Sequence, residues 1–261
     1  MSTIHAVILA IVEGLTEYLP ISSTGHMIIV STFLGIQDEP FTKDFTVIVQ
    51  FGAILSVVFL YWRKFLSDKE FYIRLVVGFL PAAVIGLLVK NKIDVILGDV
   101  QVVAWALLIG GVVLILSDKK KGDESIKSIQ DVPVKTVFLI GLIQCMAFVP
   151  GVSRAAATIL GGVYLGLNRR LAAELSFILA VPTLAGATCL KLLKIYPTIE
   201  ASQIQNILIG NLIAFLVGLI AIKGFIEFLN RQGLKSFGYY RIILGGVLLL
   251  LIFSGYPLKL L

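Results

Sequence analysis

The chain has 261 residues, of which 58% are hydrophobic and only 15% charged. A soluble domain is nearer half apolar and a quarter charged, so this composition excludes a soluble enzyme or binding module and describes an all-α integral membrane protein. The net charge of +6 has no soluble domain on which to form a nucleic-acid groove. Cytoplasmic loops and anionic headgroups account for it, so membrane lipids are expected partners and nucleic acid is not.

The first hydrophobic stretch, 4–36, is broken by "LPISSTGH". It lacks a Lys/Arg cluster and runs into Glu13 and Glu17 instead of a small-residue cleavage site, unlike a signal peptide. Runs long enough to span a bilayer follow at 43–62, 71–90 and 100–117. Residues 118–132, "DKKKGDESIKSIQDV", form the clear hydrophilic linker. A second broken stretch, 136–166, is interrupted by "VPGVSRAAAT", and three more spanning runs follow at 171–190, 205–228 and 240–258. Cys145 and Cys189 lie in apolar segments without metal-ligand spacing and read as buried thiols.

Each half of a broken stretch holds about 10–15 residues, too few to cross ~30 Å of hydrocarbon at 1.5 Å per residue. Both therefore read as re-entrant helix hairpins. Their sequences align if one residue is dropped from the second, pairing Glu13 with Gln144, Pro20 with Pro150 and Ser23 with Ser153. Hairpin plus three spans thus occurs twice, at 1–117 and 133–261, as two repeats of a single membrane domain, 1–261. An odd number of crossings per repeat makes this an inverted-topology repeat, whose sites fall where the broken elements meet.

Charge supports that arrangement. Fourteen loop cations, Arg63, Lys64, Lys69, Arg74, Lys119, Lys120, Lys121, Lys127, Lys135, Arg169, Arg170, Arg231, Lys235 and Arg241, collect on one side. Six, Lys43, Lys90, Lys92, Lys191, Lys194 and Lys259, collect on the other. The positive-inside rule makes the first side cytoplasmic. The linker is then cytoplasmic, while both termini and the first hairpin's mouth face outward from the plasma (inner) membrane.

Ionisable groups inside membrane segments cost several kcal/mol unless paired or hydrated. Glu13 and Glu17 share one helix face and repel each other unless a hard divalent cation or an arginine intervenes. Ser22, Ser23, Thr24 and His26 follow, as caps for the next helix or as chemistry. In "PGVSRAAAT", Gly151 permits close backbone approach, Ser153 opens a helix whose free N–H groups favour anions, and Arg154 offers a fork for phosphate or for one of the glutamates. Glu174 is expected to pair with Arg169 or Arg170, and Lys223 with Glu227. His5 reads as a boundary residue, and Gln50 as a mid-span amide that either reaches the site or does not.

The pairing of "EGLTEYLPISSTGH" with "PGVSRAAAT", together with "VIVQFGAILSVVFLYWRK" and "AAELSFILAVP", resembles the undecaprenyl-diphosphate phosphatase family over essentially the whole chain. Its pattern is E-x-x-x-E, S-x-x-H and P-G-x-S-R-S-G-x-T, and this sequence departs from it at Ala155 and Ala156. The resemblance implies a membrane phosphatase that releases the terminal phosphate of a polyprenyl diphosphate lipid with a divalent metal, Mg2+ or Ca2+. It implies Glu13 and Glu17 as metal ligands and Ser22, Ser153, Arg154 and Thr158 as phosphate-binding groups. Glu17, Ser23, His26 and Arg154 are then the catalytic residues, with His26 activating Ser23 or a water, or attacking directly. From architecture alone the competing reading is a transporter or flippase of an anionic polyprenyl phosphate lipid. A homodimer is left open.

Overall fold

In a computed structural model of the protein, residues 1–96, 100–118 and 122–254 are described, apart from the side chains of 90–96. The expectations for Lys90, Lys92, Lys119, Lys120, Lys121 and Lys259 lie outside the described residues. Eleven α-helices carry the described chain, with no strand among those residues. They are α1 Thr3–Thr16, α2 Ser23–Phe33, α3 Pro40–Ile48, α4 Gln50–Leu60, α5 Lys69–Ile96, α6 Val100–Ser117, α7 Val134–Gln144, α8 Arg154–Tyr164, α9 Arg169–Ile195, α10 Ala201–Gln232 and α11 Lys235–Phe253. Six segments among them are long and apolar enough to cross a membrane: Pro40–Leu60, Lys69–Val89, Val100–Ser117, Arg169–Thr198, Ala201–Gln232 and Lys235–Phe253. This is a multi-pass membrane protein, and the six segments overlie the six expected runs.

The first span is not the continuous helix that its apolar run predicts. It breaks at Val49, between α3 and α4. The Gly52 N–H just beyond the break donates to Asn211 Oδ1 at 2.5 Å, so a side-chain amide on α10 satisfies backbone that the break exposes. The two thiols also differ from expectation: Cys145 is half-buried and Cys189 exposed. Cys189 lies on the outward face of α9 beside the exposed Leu190 and Leu193, where lipid and not core surrounds an apolar side chain.

Packing partners alternate between the two halves of the chain. Helix α1 lies alongside α10 in the same direction, with Thr3 Oγ1 donating to Asn206 Oδ1 at 2.9 Å and Gly14 against Ala214 and Val217. Helix α7 lies alongside α5 likewise, with Arg74 Nε donating to the Val132 carbonyl at 2.8 Å and Gly141 against Gly78. Helices α6 and α11 run antiparallel, Gly111 meeting Gly238 and Gly245 meeting Ala104. Helices α4 and α9 are antiparallel too: Lys64 pairs with Glu174 near one end of the α3–α4 span, and Lys191 with Asp44 at 2.8 Å near the other.

The short helices turn back. After α2 the chain returns to its starting end, where the Met1 amino group pairs with Glu39 and Ile36 and Phe41 pack with Ala6 and Leu9. After α8 it returns to the opposite end, where Asp123 N–H donates to the Gly166 carbonyl at 2.7 Å and Asp118 Oδ1 accepts from Leu234 N–H at 2.7 Å. The linker is thus tied to the bundle through Asp118 and Asp123.

Two serines punctuate these turns. Ser22 (φ 69°) and Ser153 (φ 72°) are the non-glycine residues with positive φ among those described, a region that L-residues enter only at a cost. Each is an N-cap, Ser22 Oγ accepting from Gly25 N–H at 3.3 Å and Ser153 Oγ from Ala156 N–H at 3.2 Å. Ser22 lies nine residues after Glu13, and Ser153 nine after Gln144. The turns therefore correspond without a gap, and the expected one-residue deletion is corrected: Ser22 matches Ser153, and Ser23 matches Arg154. Matching the two prolines shifts the register by one, whereas the capping serines fix it.

Arg241 of α11 is fully buried and is not the boundary cation that the charge count assumes. Its guanidinium donates to the Pro20 and Val152 carbonyls at 3.2 and 3.0 Å, to Gly151 and Ala106 at 2.9 Å each, and to Leu107 at 3.4 Å. Both turns and α6 are thereby held by one side chain. Gly151, at φ +92°, sits so close that a Cβ there would stand 2.6 Å from the Val103 carbonyl. The expected ion pairs are also redrawn. Glu174 takes Lys64, Arg169 takes Asp118 at 3.2 Å, and Glu227 takes Arg231 at 2.7 Å instead of Lys223. The last change follows helix polarity, since an acid four residues before a base pairs better than the reverse.

Replacing Arg241 with Met should strand several buried carbonyls and cost at least about 3 kcal/mol. Thermal unfolding in detergent would show this as a lowered midpoint, with the exposed Arg231→Met as an unshifted control.

Candidate functional site

The two turns meet at a cavity of about 210 Å³. The first turn contributes Glu17, Ser22, Ser23 and Thr24 to its wall, and the second Pro150, Gly151, Ser153 and Arg154. Helix α1 ends before Pro20, which cannot continue it, so Glu17 stands on the last turn and Ser23 opens the next helix. Glu17 is 6% exposed and Ser23 8%.

Glu17 joins the halves. Ser23 Oγ donates to Glu17 Oε2 at 2.5 Å, and Arg154 Nη2 donates to Glu17 Oε1 at 3.1 Å. Arg154 Nη1 donates to the Ser176 carbonyl of α9 at 2.8 Å, which fixes the plane of the fork, while Arg154 Nε is buried with no partner among the described residues. A hydroxyl hydrogen-bonded to a carboxylate beside a guanidinium can supply a nucleophile, a base and an anion anchor.

Not every expected residue joins this cluster. Thr158 is absent from the cavity wall; its Oγ1 lies 2.8 Å from the Arg154 carbonyl and 2.6 Å from Ser176 Oγ, bracing α8 on α9. His26 is also absent from the wall. Its Nδ1 is 2.8 Å from the Ser22 carbonyl and its Nε2 2.6 Å from Tyr240 Oη. Because a carbonyl only accepts, Nδ1 carries the proton and Nε2 accepts from the tyrosine. The imidazole also stacks on the Tyr240 ring, with centroids 5.6 Å apart.

Glu13 is likewise absent from the cavity wall; it lies one turn before Glu17, 1% exposed, within electrostatic reach of Glu17 and Arg154. Its oxygens receive no donor by geometry among the described residues, and the Glu17 carboxylate stands close enough to share a proton with it. A buried carboxylate without donors is what a hard cation or a proton would satisfy. No group of three His, Cys, Asp or Glu side chains assembles among the described residues. Glu13 and Glu17 are the carboxylates here that could meet a hard cation.

Three wall residues were weakly signalled or missed. Gln50, exposed to the cavity by the break in the first span, does line the site. Gln144 and Thr183 line it as well, linked by a 3.3 Å bond from Gln144 Nε2 to Thr183 Oγ1. A buried amide in an apolar run was the available signal at Gln144. Tyr240 offered none, since only the fold brings α11 to His26.

The Glu17–Arg154 contact is testable by a double-mutant cycle. Glu17→Gln alone should destabilise by about 3 kcal/mol, because Arg154 is left buried and uncompensated. Glu17→Gln with Arg154→Met should cost less than the two single changes together, as read from unfolding midpoints in detergent.

A family model described as "Bacitracin resistance protein BacA" matches residues 6–247. The chain is 54% identical over 261 residues to a protein of Bdellovibrio bacteriovorus named undecaprenyl-diphosphatase, covering 99% of each chain. Proteins of the same name from Flavobacterium psychrophilum and Campylobacter jejuni are 51% and 43% identical, over 100% and 98% of this chain and 100% and 96% of theirs.

Proposed function

The chain belongs to the bacitracin resistance protein BacA family, and from that premise we propose that it is a membrane phosphatase converting undecaprenyl diphosphate to undecaprenyl phosphate and inorganic phosphate. Such an enzyme recycles the lipid carrier of cell-wall glycan synthesis. The observation that carries the reading to particular residues is Glu17, which receives the Ser23 hydroxyl from one turn and the Arg154 guanidinium from the other. The transport reading gains nothing from relatives that bear an enzyme's name.

We read the α1–α2 and α7–α8 pairs as re-entrant hairpins of an inverted repeat, 1–117 and 133–261, flanking the linker 118–132. Three features support this: returns to opposite ends of the bundle, the antiparallel α6–α11 pair, and capping serines in matching register. Without Arg241 the loop cations still divide thirteen to six. This favours a plasma-membrane orientation with the linker in the cytoplasm, and both termini and the first hairpin's mouth outside.

In the mechanism we favour, Ser23 Oγ attacks the terminal phosphorus while its proton passes to Glu17. The bond to the bridging oxygen breaks, and undecaprenyl phosphate leaves. That phosphate carries off the proton Glu17 had taken; water then attacks the phosphoserine, giving its proton to the freed Glu17 carboxylate, which passes it to Ser23 Oγ as the P–O bond breaks and inorganic phosphate departs. Arg154 first answers Glu17 and then the phosphoryl oxygens. Ser22 and Ser153 present the turns to the phosphates, and Thr158 acts by holding Arg154 in place. Glu13 and Glu17 would hold the divalent metal, Mg2+ or Ca2+, which supplies charge neutralisation at the diphosphate. His26 braces the Ser22 turn from behind; as a base it would first have to leave Tyr240.

Purified protein given farnesyl diphosphate and Mg2+ or Ca2+ should release phosphate, and a chelator should abolish the release. No release with either metal would overturn the enzyme reading. Ser23→Ala and Glu17→Gln should each lower turnover at least about 100-fold. A loss from His26→Ala as large as that from Glu17→Gln would return the base role to the imidazole.

A further inference from the structure

We propose that a groove at the end of the bundle opposite Met1, distinct from the Glu17 cavity, binds the phosphate of an anionic phospholipid of the surrounding bilayer. The groove encloses about 440 Å³ between the close of α4, the start of α9 and the last third of α10. Leu60, Ile222 and Ile226 form its apolar side, and Tyr61, Arg170 and Lys223 its polar one. Arg170 and Asn230 also line an adjoining polar cavity of about 720 Å³ that reaches Glu124 and Lys127 of the linker.

The groove's charge is unbalanced. Its carboxylate, Glu227, is taken by Arg231 at 2.7 Å, and Glu174 next door is taken by Lys64. No ion pair among the described residues engages Arg170 or Lys223, and both are exposed. Lys223 also stands deep for a free cation. It lies nine residues before the end of α10, about 13 Å along the axis. It continues the face of Leu216 and Ile220, which are 49% and 72% exposed. That face meets lipid tails, so the ammonium must snorkel or find an anion.

The occupant is a lipid and not free phosphate because of the apolar side. Lys223 itself continues the lipid-facing strip of Leu216 and Ile220, so an anion held there sits beside the acyl chains, with the half-buried Leu60 and Ile226 lining the groove. Tyr61, with an apolar ring and a polar tip, suits the headgroup level of such a site. The proposal does not depend on the phosphatase reading, because no groove residue belongs to the Glu17 cluster.

Native mass spectrometry of the full chain in detergent, titrated with short-chain phosphatidylglycerol or phosphatidylcholine, tests it. Phosphatidylglycerol should bind at least about ten-fold more tightly, and Arg170→Gln and Lys223→Gln should each weaken it about five-fold while leaving phosphatidylcholine unchanged. Unfolding midpoints of these exposed-site variants should stay at the wild-type value. Equal binding of the two lipids, or no effect of either variant, would overturn the site. Displacement of phosphatidylglycerol by equimolar inorganic phosphate would overturn the lipid assignment in favour of a free-anion site.

Discussion

The geometry of the site rests on one buried guanidinium. A candidate site split between two turns, 137 residues apart at Glu17 and Arg154, needs something to fix one turn against the other. Arg241 does so by donating to Pro20 on one turn and to Gly151 and Val152 on the other. An arginine suits this task because its rigid planar fork offers five donors and never loses its charge. With carbonyls around it and no carboxylate partner among the described residues, the charge is solvated by peptide dipoles that the turns would otherwise leave unsatisfied. The same atoms that would be a liability in hydrocarbon become each other's partners, which is how irregular backbone survives inside a membrane protein.

Once the turns are fixed, the rest of the site follows from local chemistry. Ser22 and Ser153 cap their helices from strained backbone, and the next residue on each side enters the cavity. At corresponding positions one half presents a hydroxyl, Ser23, and the other a guanidinium, Arg154. Glu17 accepts from both. Behind this layer, Ser176 and Thr158 hold Arg154, while Tyr240 holds His26. Glu13 remains buried without a donor, which is why a cation at the diphosphate is a coherent part of the proposal.

Most of the fold's outline was legible from hydropathy. Six runs of sufficient length became six helical spans, and prolines with small polar residues marked both turns, because hydrocarbon thickness and the missing proline N–H act locally along the chain. The break at Val49 was not legible. The apolar run continues through it, and the acceptor that makes it tolerable, Asn211, lies on another helix. Arg241 differs from its expected place for the same reason: a cation near the end of an apolar run looks like a loop charge until the turns it serves are brought to it.

By itself the sequence determined the membrane class, the number of spans, the two interrupted stretches and the residue types of the chemistry: carboxylates, hydroxyls, an imidazole and a buried arginine. Each of these depends on composition or on spacing within a single helix. Only the tertiary structure decided which of them meet. It brought Glu17, Ser23 and Arg154 together, turned His26 toward Tyr240, set Thr158 behind Arg154, admitted Gln50, Gln144 and Thr183 to the wall, and corrected the register of the two turns by one residue. Contacts between helices far apart in sequence are set by packing and by which buried polar groups can satisfy one another, and neither leaves a periodic trace in the chain.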